Sequence, residues 1–327
     1  MEHRELGGTG LTVSRMGIGL AALGRPAYIN LGHADDLHGD YDVDTMRRAT
    51  TDVLDAAWDA GVTYVDVARS YGRAEAFLAS WLDGRVGVER PVVGSKWGYE
   101  YTGGWRLDSD IQEVKEHSLA MFERQRAETD ALLGRALDLY QVHSLTLDSG
   151  LLDDTDLLDA LTRLRDAGTS VGASLSGPRQ ADALERVLAV ERTDAQLFST
   201  VQVTWNVLEP SAGAMLGAAH EAGVGVIIKE GVANGRLTPR GSDPAVREVL
   251  DPIAARHGVT IDAVALAAVL AQPWVDVALS GAATVAHLHA NLCALDVPLT
   301  SEDLDALDGL SERADAYWDR RGGLPWA

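Results

Sequence analysis
The chain has 327 residues, and its 28 Lys and Arg stand against 49 Asp and Glu, a formal charge of −21 at pH 7. That balance argues against nonspecific binding of nucleic acid or anionic membranes, and no apolar run is long enough to span a bilayer. Cys293 is the only cysteine and the N-terminus lacks a signal-peptide core, so no intramolecular disulfide forms and a cytoplasmic setting is expected.

Short β-branched runs bounded by Gly, Pro or charge read as buried strands, and amphipathic stretches between them read as helices. Strand one fits 16–20 and is followed by a long polar loop from Gly24-Arg25-Pro26 to Asp44. A helix fits 45–60, with Val53, Leu54, Ala57 and Ala60 on one face. Strand two, 62–66, ends at Asp66; Tyr71 sits just past it, before a helix through Trp81. Strand three, 91–96, ends at Lys96 and opens a loop rich in Trp, Tyr and Gly. A long helix over 111–134 leads to strand four, 137–143, which ends at His143. Leu157, Leu158, Leu161 and Leu164 mark the next helix, and strand five fits 170–174. Strand six, 200–205, a helix near 211–222 and strand seven, 225–229, follow. Helical patterns at 244–257 and 260–271 precede strand eight, 275–279. Helices at 285–294 and 301–312 remain, the first with Cys293 as a small core residue beside Leu288, Leu292 and Leu295. The tail carries Tyr317, Trp318 and Trp326, which either cover a mouth or interface or pack on a helix. Gly17, Gly19 and Ala22 fit a loose dinucleotide fingerprint, but Pro26 and a polar loop follow where that motif needs a helix, so a Rossmann reading is rejected.

Alternating strands and helices predict an α/β fold with a parallel sheet covered by helices. In a (β/α)₈ TIM barrel the carboxyl ends of the strands converge on one mouth, with neighbours only about 4.8 Å apart. A plain barrel takes about 250 residues; the surplus here fits an N-terminal β-hairpin, long loops and extra C-terminal helices within one domain over 1–327. Asp66, Lys96 and His143 then meet beside Tyr71. A phenol near an ammonium, a carboxylate and an imidazole suits proton transfer to a carbonyl oxygen as hydride reaches carbon. Lys96 is expected to lower the tyrosine pKa from about 10, Asp66 to orient Lys96, and His143 to hydrogen-bond the carbonyl oxygen or assist the relay.

These residues, in this order, resemble the aldo-keto reductase family. The similarity covers roughly 3–311: the opening hairpin at 4–14, the first strand at 16–20, Asp66 through Tyr71-Gly72 to Glu75, Ser95-Lys96-Trp97-Gly98, and Leu139-Tyr140-Gln141-Val142-His143. The resemblance implies Tyr71 as general acid/base, tuned by Lys96 and Asp66, with His143 orienting the substrate. It implies a nicotinamide cofactor, by family habit NADP with NAD also open. Gly19, Leu20 and Asp66 would lie beside it, Ser174 and Gln202 on its carboxamide, Gly281 at a phosphate-binding helix start, and His287 and Asn291 on the adenosine side. Three positions depart from the pattern: Leu175 stands for an Asn, Lys229 for a stacking aromatic, and Ala283 for a cation that holds a 2′-phosphate. Lys229 either reaches phosphate or substrate or pairs with Glu230.

Tyr28, Trp97 and Trp205, with Tyr99 and Trp105, are candidates to line a pocket for a carbonyl compound or sugar. His33, His38, Asp35 and Asp36 share a loop but match no metal pattern, and no metal is expected. The leading expectation is an NAD(P)(H)-dependent oxidoreductase interconverting an aldehyde, ketone or sugar and its alcohol. The altered nicotinamide contacts leave a second reading, a cofactor-binding regulatory protein with little turnover. A third is a barrel lyase or isomerase with Lys96 as a Schiff-base amine.

Overall fold
The computed structural model describes residues 1–37, 39–85, 89–241 and 243–326. Eight parallel strands close into a barrel in sequence order: β1 (Met16–Gly19), β2 (Tyr64–Asp66), β3 (Val92–Trp97), β4 (Leu137–Leu145), β5 (Ser170–Leu175), β6 (Thr200–Thr204), β7 (Gly225–Lys229) and β8 (Val277–Ser280). The near-continuous apolar runs have a physical reason, since each strand is covered on both faces. In β7, Ile227 points inward and joins Tyr64, Leu139 and Val277 in the barrel interior, while Val226 and Ile228 pack outward against the helices. The N-terminal hairpin, His3–Glu5 against Thr12–Ser14, adds Leu6 and Val13 to the interior cluster and so plugs that end.

Gly17 explains the misleading fingerprint. A Cβ there would come within 2.8 Å of the Tyr64 ring and 3.0 Å of Val277 and Leu279, so the glycine makes room for barrel-filling side chains. It does not cradle a phosphate.

Besides a single turn at His33–Asp36, the α-helices among the described residues are α1 (Val43–Asp59), α2 (Ala74–Asp83), α3 (Leu119–Leu132), α4 (Thr155–Asp166), α5 (Gln180–Leu188), α6 (Gly213–Glu221), α7 (Pro244–His257), α8 (Ile261–Leu270), α9 (Val285–Leu292), α10 (Ser301–Asp308) and α11 (Ala314–Gly322). Among the described residues no single helix is long and apolar enough to cross a membrane. The helix expected over 111–134 is shorter than its pattern suggested. Glu113–Lys115 instead pairs antiparallel with Tyr99–Tyr101, and α3 starts only where Ser118 Oγ accepts a bond from Met121 N. Cys293 is also not a core residue. Helix α9 ends at Leu292, Cys293 opens a 3₁₀ turn, and the tighter winding leaves its thiol exposed. The tail does both things considered for it: Tyr317 and Trp318 pack on α7 and α8, and Trp326 reaches the barrel mouth.

Candidate active site
At the carboxyl end of β3, Lys96 is wholly buried, and its Nζ donates to the Asp66 carboxylate and to Val67 O at 3.0 Å. Asp66 also accepts from Gln202 Nε2 at 2.8 Å, Tyr64 Oη at 3.3 Å and Gln141 Nε2 at 3.4 Å. A buried ammonium needs such a partner, because leaving water costs several kcal/mol per ion. Tyr71 lies in the turn after β2, with Lys96 Nζ 4.7 Å from its ring centroid, a cation–π distance. Gly24 lets the β1 loop pack against this turn; a Cβ there would collide with the Tyr71 carbonyl. The His143 ring, on β4, meets the Tyr71 ring edge-on at 5.5 Å, and its Nδ1 lies 3.3 Å from Ser70 Oγ.

Electrostatics here differ from the expectation that Lys96 lowers the tyrosine pKa. Burial, then the Asp66 charge, pushes Tyr71 well above its ordinary value and keeps it a neutral phenol. Burial, then the charges of Lys96, Lys229 and Arg25, pushes His143 well below its own, so the imidazole is neutral. Both side chains face a cavity of about 280 Å³. Neither Tyr71 Oη nor His143 Nε2 is engaged by another described residue.

The mouth holds groups the sequence reading passed over. Arg25, only 2% exposed, donates from Nη1 to Glu113 at 2.7 Å and Ser70 O at 3.0 Å. Its guanidinium sits 4.7 Å from the Trp326 ring and 5.6 Å from the Tyr71 ring. Its only signal in sequence was a cation held between Gly24 and Pro26 in the first mouth loop. Glu113 was hidden inside the supposed helix. Of the aromatic candidates, Tyr28 and Tyr99 line the cavity. Trp97 and Trp205 do not: Trp97 packs outward on Phe122 at 5.0 Å, and Trp205 on Trp274 at 5.6 Å. Trp105 bonds Tyr41 O instead.

Lys229 lines the cavity but does not pair with Glu230, which is held by Arg321 at 2.9 Å and Thr204 Oγ1 at 3.2 Å. Burial works against the Glu230 charge, yet Arg321 and Lys229 hold it down at about 2. Glu230 also has a φ of 56°, the left-handed strain that collects at ligand sites. Burial pushes Lys229 down to about 8 from 10.5. A lysine depressed in the fold binds fewer protons there than in the unfolded chain between those values, so its penalty is full below pH 8 and fades as pH rises towards 10.5. Lys229→Met is therefore expected to raise stability at neutral pH by about 1–3 kcal/mol, the range allowing for its partial exposure. Denaturant melts across that pH range check it, and a gain that does not shrink at high pH would contradict this origin.

The residues present fit an elongated ligand with an amide at one end. Ser174 and Gln202 are register partners on β5 and β6. Among the described residues Ser174 Oγ is buried with no partner, and Gln202, its Nε2 committed to Asp66, keeps Oε1 unbonded on the cavity wall. Ser174 itself does not line the cavity, whereas Ser176 does. Gly19 lines it, but Leu20 and Leu175 are wholly buried in the outer core. A second cavity of about 180 Å³ holds His287 and Asn291 and shares Asn30, Val232 and Gly281 with the first. A Cβ on Gly281 would meet nothing within 4 Å, so its backbone borders open space. In the β1 loop, His33 is buried with neither ring nitrogen bonded to another described residue, and Asp36 pairs with Arg240; His38 lies outside the described residues.

A family model described as the aldo/keto reductase family matches residues 16–312. The aldo-keto reductase ausK of Emericella nidulans is 23% identical, over 93% of this chain and 79% of its own length. The NADH-specific methylglyoxal reductase of Escherichia coli is 24% identical, over 95% and 99%. The solved holo form of an aldo-keto reductase from Bacillus halodurans superposes with a TM-score of 0.70 at 22% identity, covering 96% of this chain and 97% of that one.

Proposed function
Since the chain belongs to the aldo/keto reductase family and is thereby an NAD(P)H-dependent oxidoreductase, we propose that it interconverts an aldehyde, ketone or sugar and the corresponding alcohol, with Tyr71 as general acid/base. The observation that carries the reading is the pair of unengaged, neutral donors, Tyr71 Oη and His143 Nε2, on one wall of the mouth cavity. With Ser70 Oγ–H donating to Nδ1, His143 keeps its proton on Nε2 and donates a hydrogen bond to the carbonyl oxygen. A bound nicotinamide supplies the hydride. Tyr71 gives its proton to the oxygen as charge develops there, and the Lys96 ammonium beside the ring stabilises the phenolate that results. Asp66 holds Lys96 in place. In the oxidative direction Tyr71 takes the proton back.

Gln202, Ser176 and Asp66, all on the cavity wall, suit the carboxamide end of the cofactor, Gly281 and the start of α9 the phosphates, and His287 and Asn291 the adenosine. Family habit points to NADP(H), yet one relative is named for NADH specificity, so membership alone leaves both open. Tyr28, Tyr99 and Trp326 form an aromatic wall for the substrate. Lys96 is wholly buried and absent from the cavity lining, which weighs against a Schiff base.

The test is a panel of aldehydes, ketones and aldoses, with the matching alcohols, followed by cofactor absorbance. Turnover of at least one class is expected. Tight cofactor binding with no turnover in either direction would replace this reading with that of a regulatory protein.

A further inference from the structure
The second cavity carries an acid that no described residue pairs with. Asp262 stands in the first turn of α8 and is 7% exposed. It lines the cavity, its Oδ1 is sealed from solvent, and neither carboxylate oxygen has a hydrogen-bond or ion-pair partner among the described residues. Thr260 lines the same cavity, and although it occupies the N-cap of α8 its hydroxyl makes no capping bond. A buried carboxylate without donors is unfavourable unless a ligand completes it. The vicinal hydroxyls of a ribose are suitable donors, and Thr260 Oγ suits a neighbouring oxygen.

The nearby cations are already committed. Arg240 reaches the cavity, but its Nη1 and Nη2 both donate to Asp36, Nη1 at 2.8 Å, and Nη1 also reaches Leu31 O at 3.2 Å. His287 Nε2 lies 3.6 Å from the same Asp36 carboxylate. Arg240 and Asp36 therefore cancel, and the charge left over is that of Asp262. A phosphate monoester there would add about −1.5 to −2 of charge beside it, with no free guanidinium or ammonium to receive it among the cavity-lining residues.

The two cavities share Asn30, Val232 and Gly281 as lining residues. A dinucleotide with its nicotinamide beside Tyr71 that ran on past the start of α9 would bring its second ribose towards Asp262 and Thr260. Resting on the cofactor reading above, we propose that this cavity selects a dinucleotide whose adenosine ribose keeps free hydroxyls, NAD(H), against the 2′-phosphorylated NADP(H), with Asp262 as the discriminating residue. Selection works by both means open to a binding site: a hydrogen bond for the right ligand and a repulsion for the wrong one.

The experiment is equilibrium binding to the full chain by calorimetry, with NADH, NADPH, ADP-ribose and 2′-phospho-ADP-ribose, on wild type, Asp262→Asn and Asp262→Ser. Wild type is expected to bind each unphosphorylated ligand at least about tenfold more tightly than its phosphorylated counterpart. The substitutions are expected to bring the phosphorylated ligands about tenfold closer without tightening NADH. Wild type that binds NADPH as tightly as NADH overturns the proposal and leaves the cofactor reading standing, and it does so even if the variants misfold. A preference unchanged in folded variants overturns the role of Asp262. Failure of all four ligands to bind overturns the cofactor reading itself, and the selectivity with it.

Discussion

Tyr71→Phe is expected to keep wild-type cofactor affinity while carbonyl turnover falls by about 10²–10⁴-fold, the usual contribution of a positioned acid. Only one atom is lost. The ring keeps its place 4.7 Å from Lys96 Nζ and edge-on to His143 at 5.5 Å, so the cavity wall stays intact. The phenol hydroxyl has no partner among the described residues, so stability should change little. The loss should fall on kcat, because the proton is transferred only as the transition state forms. Since burial holds Tyr71 protonated and His143 neutral, neither should titrate in the cofactor-free protein near pH 7. Any change in the wild-type profile near pH 8 is assigned to Lys229, which is charged below that point and neutral above it; it should vanish in Lys229→Met. Turnover of Tyr71→Phe within tenfold of wild type would show that water or another group delivers the proton.

Why the four polar residues were legible, and much of their surroundings was not, follows from strand geometry. Buried parallel strands are continuous β-branched runs, so all eight appear in sequence within two residues of their observed ends. Their termini fix where Asp66, Lys96 and His143 emerge. The errors come from the alternation of side chains along a strand. Lys96 faces inward, so the next residue, Trp97, faces the helices; Leu20 follows Gly19 and Trp205 follows Thr204 in the same way. That period was readable and would have removed Trp97 and Trp205 from the substrate wall. Arg25 and Glu113 are 88 residues apart, and Arg240 and Asp36 are 204 apart. No local pattern announces such pairs, because each depends on which loops the closed barrel brings together. Asp262 is harder still, since an acid in the first turn of a helix is ordinarily a dipole partner at the surface.

Lys96→Met is expected to destabilise the protein by about 3–5 kcal/mol, the effect of leaving one member of a buried ion pair unpaired. Met matches the length of the lysine stem, so the loss arises from the abandoned Asp66 rather than from a void. Gln202, Tyr64 and Gln141 still donate to that carboxylate, but three neutral donors do not replace a full charge in the barrel interior. Adding Asp66→Asn should recover much of the stability, because a neutral amide beside a thioether leaves no charge without its counterpart. Urea melts of the two single variants and the double variant form a cycle that isolates the coupling. Activity should behave differently. The double variant has lost the ammonium that stabilises the Tyr71 phenolate, so it should fold yet remain slow even at saturating cofactor. Parallel recovery of stability and turnover would mean that Lys96 serves only to hold the barrel together, and that the phenolate needs no cation at this site.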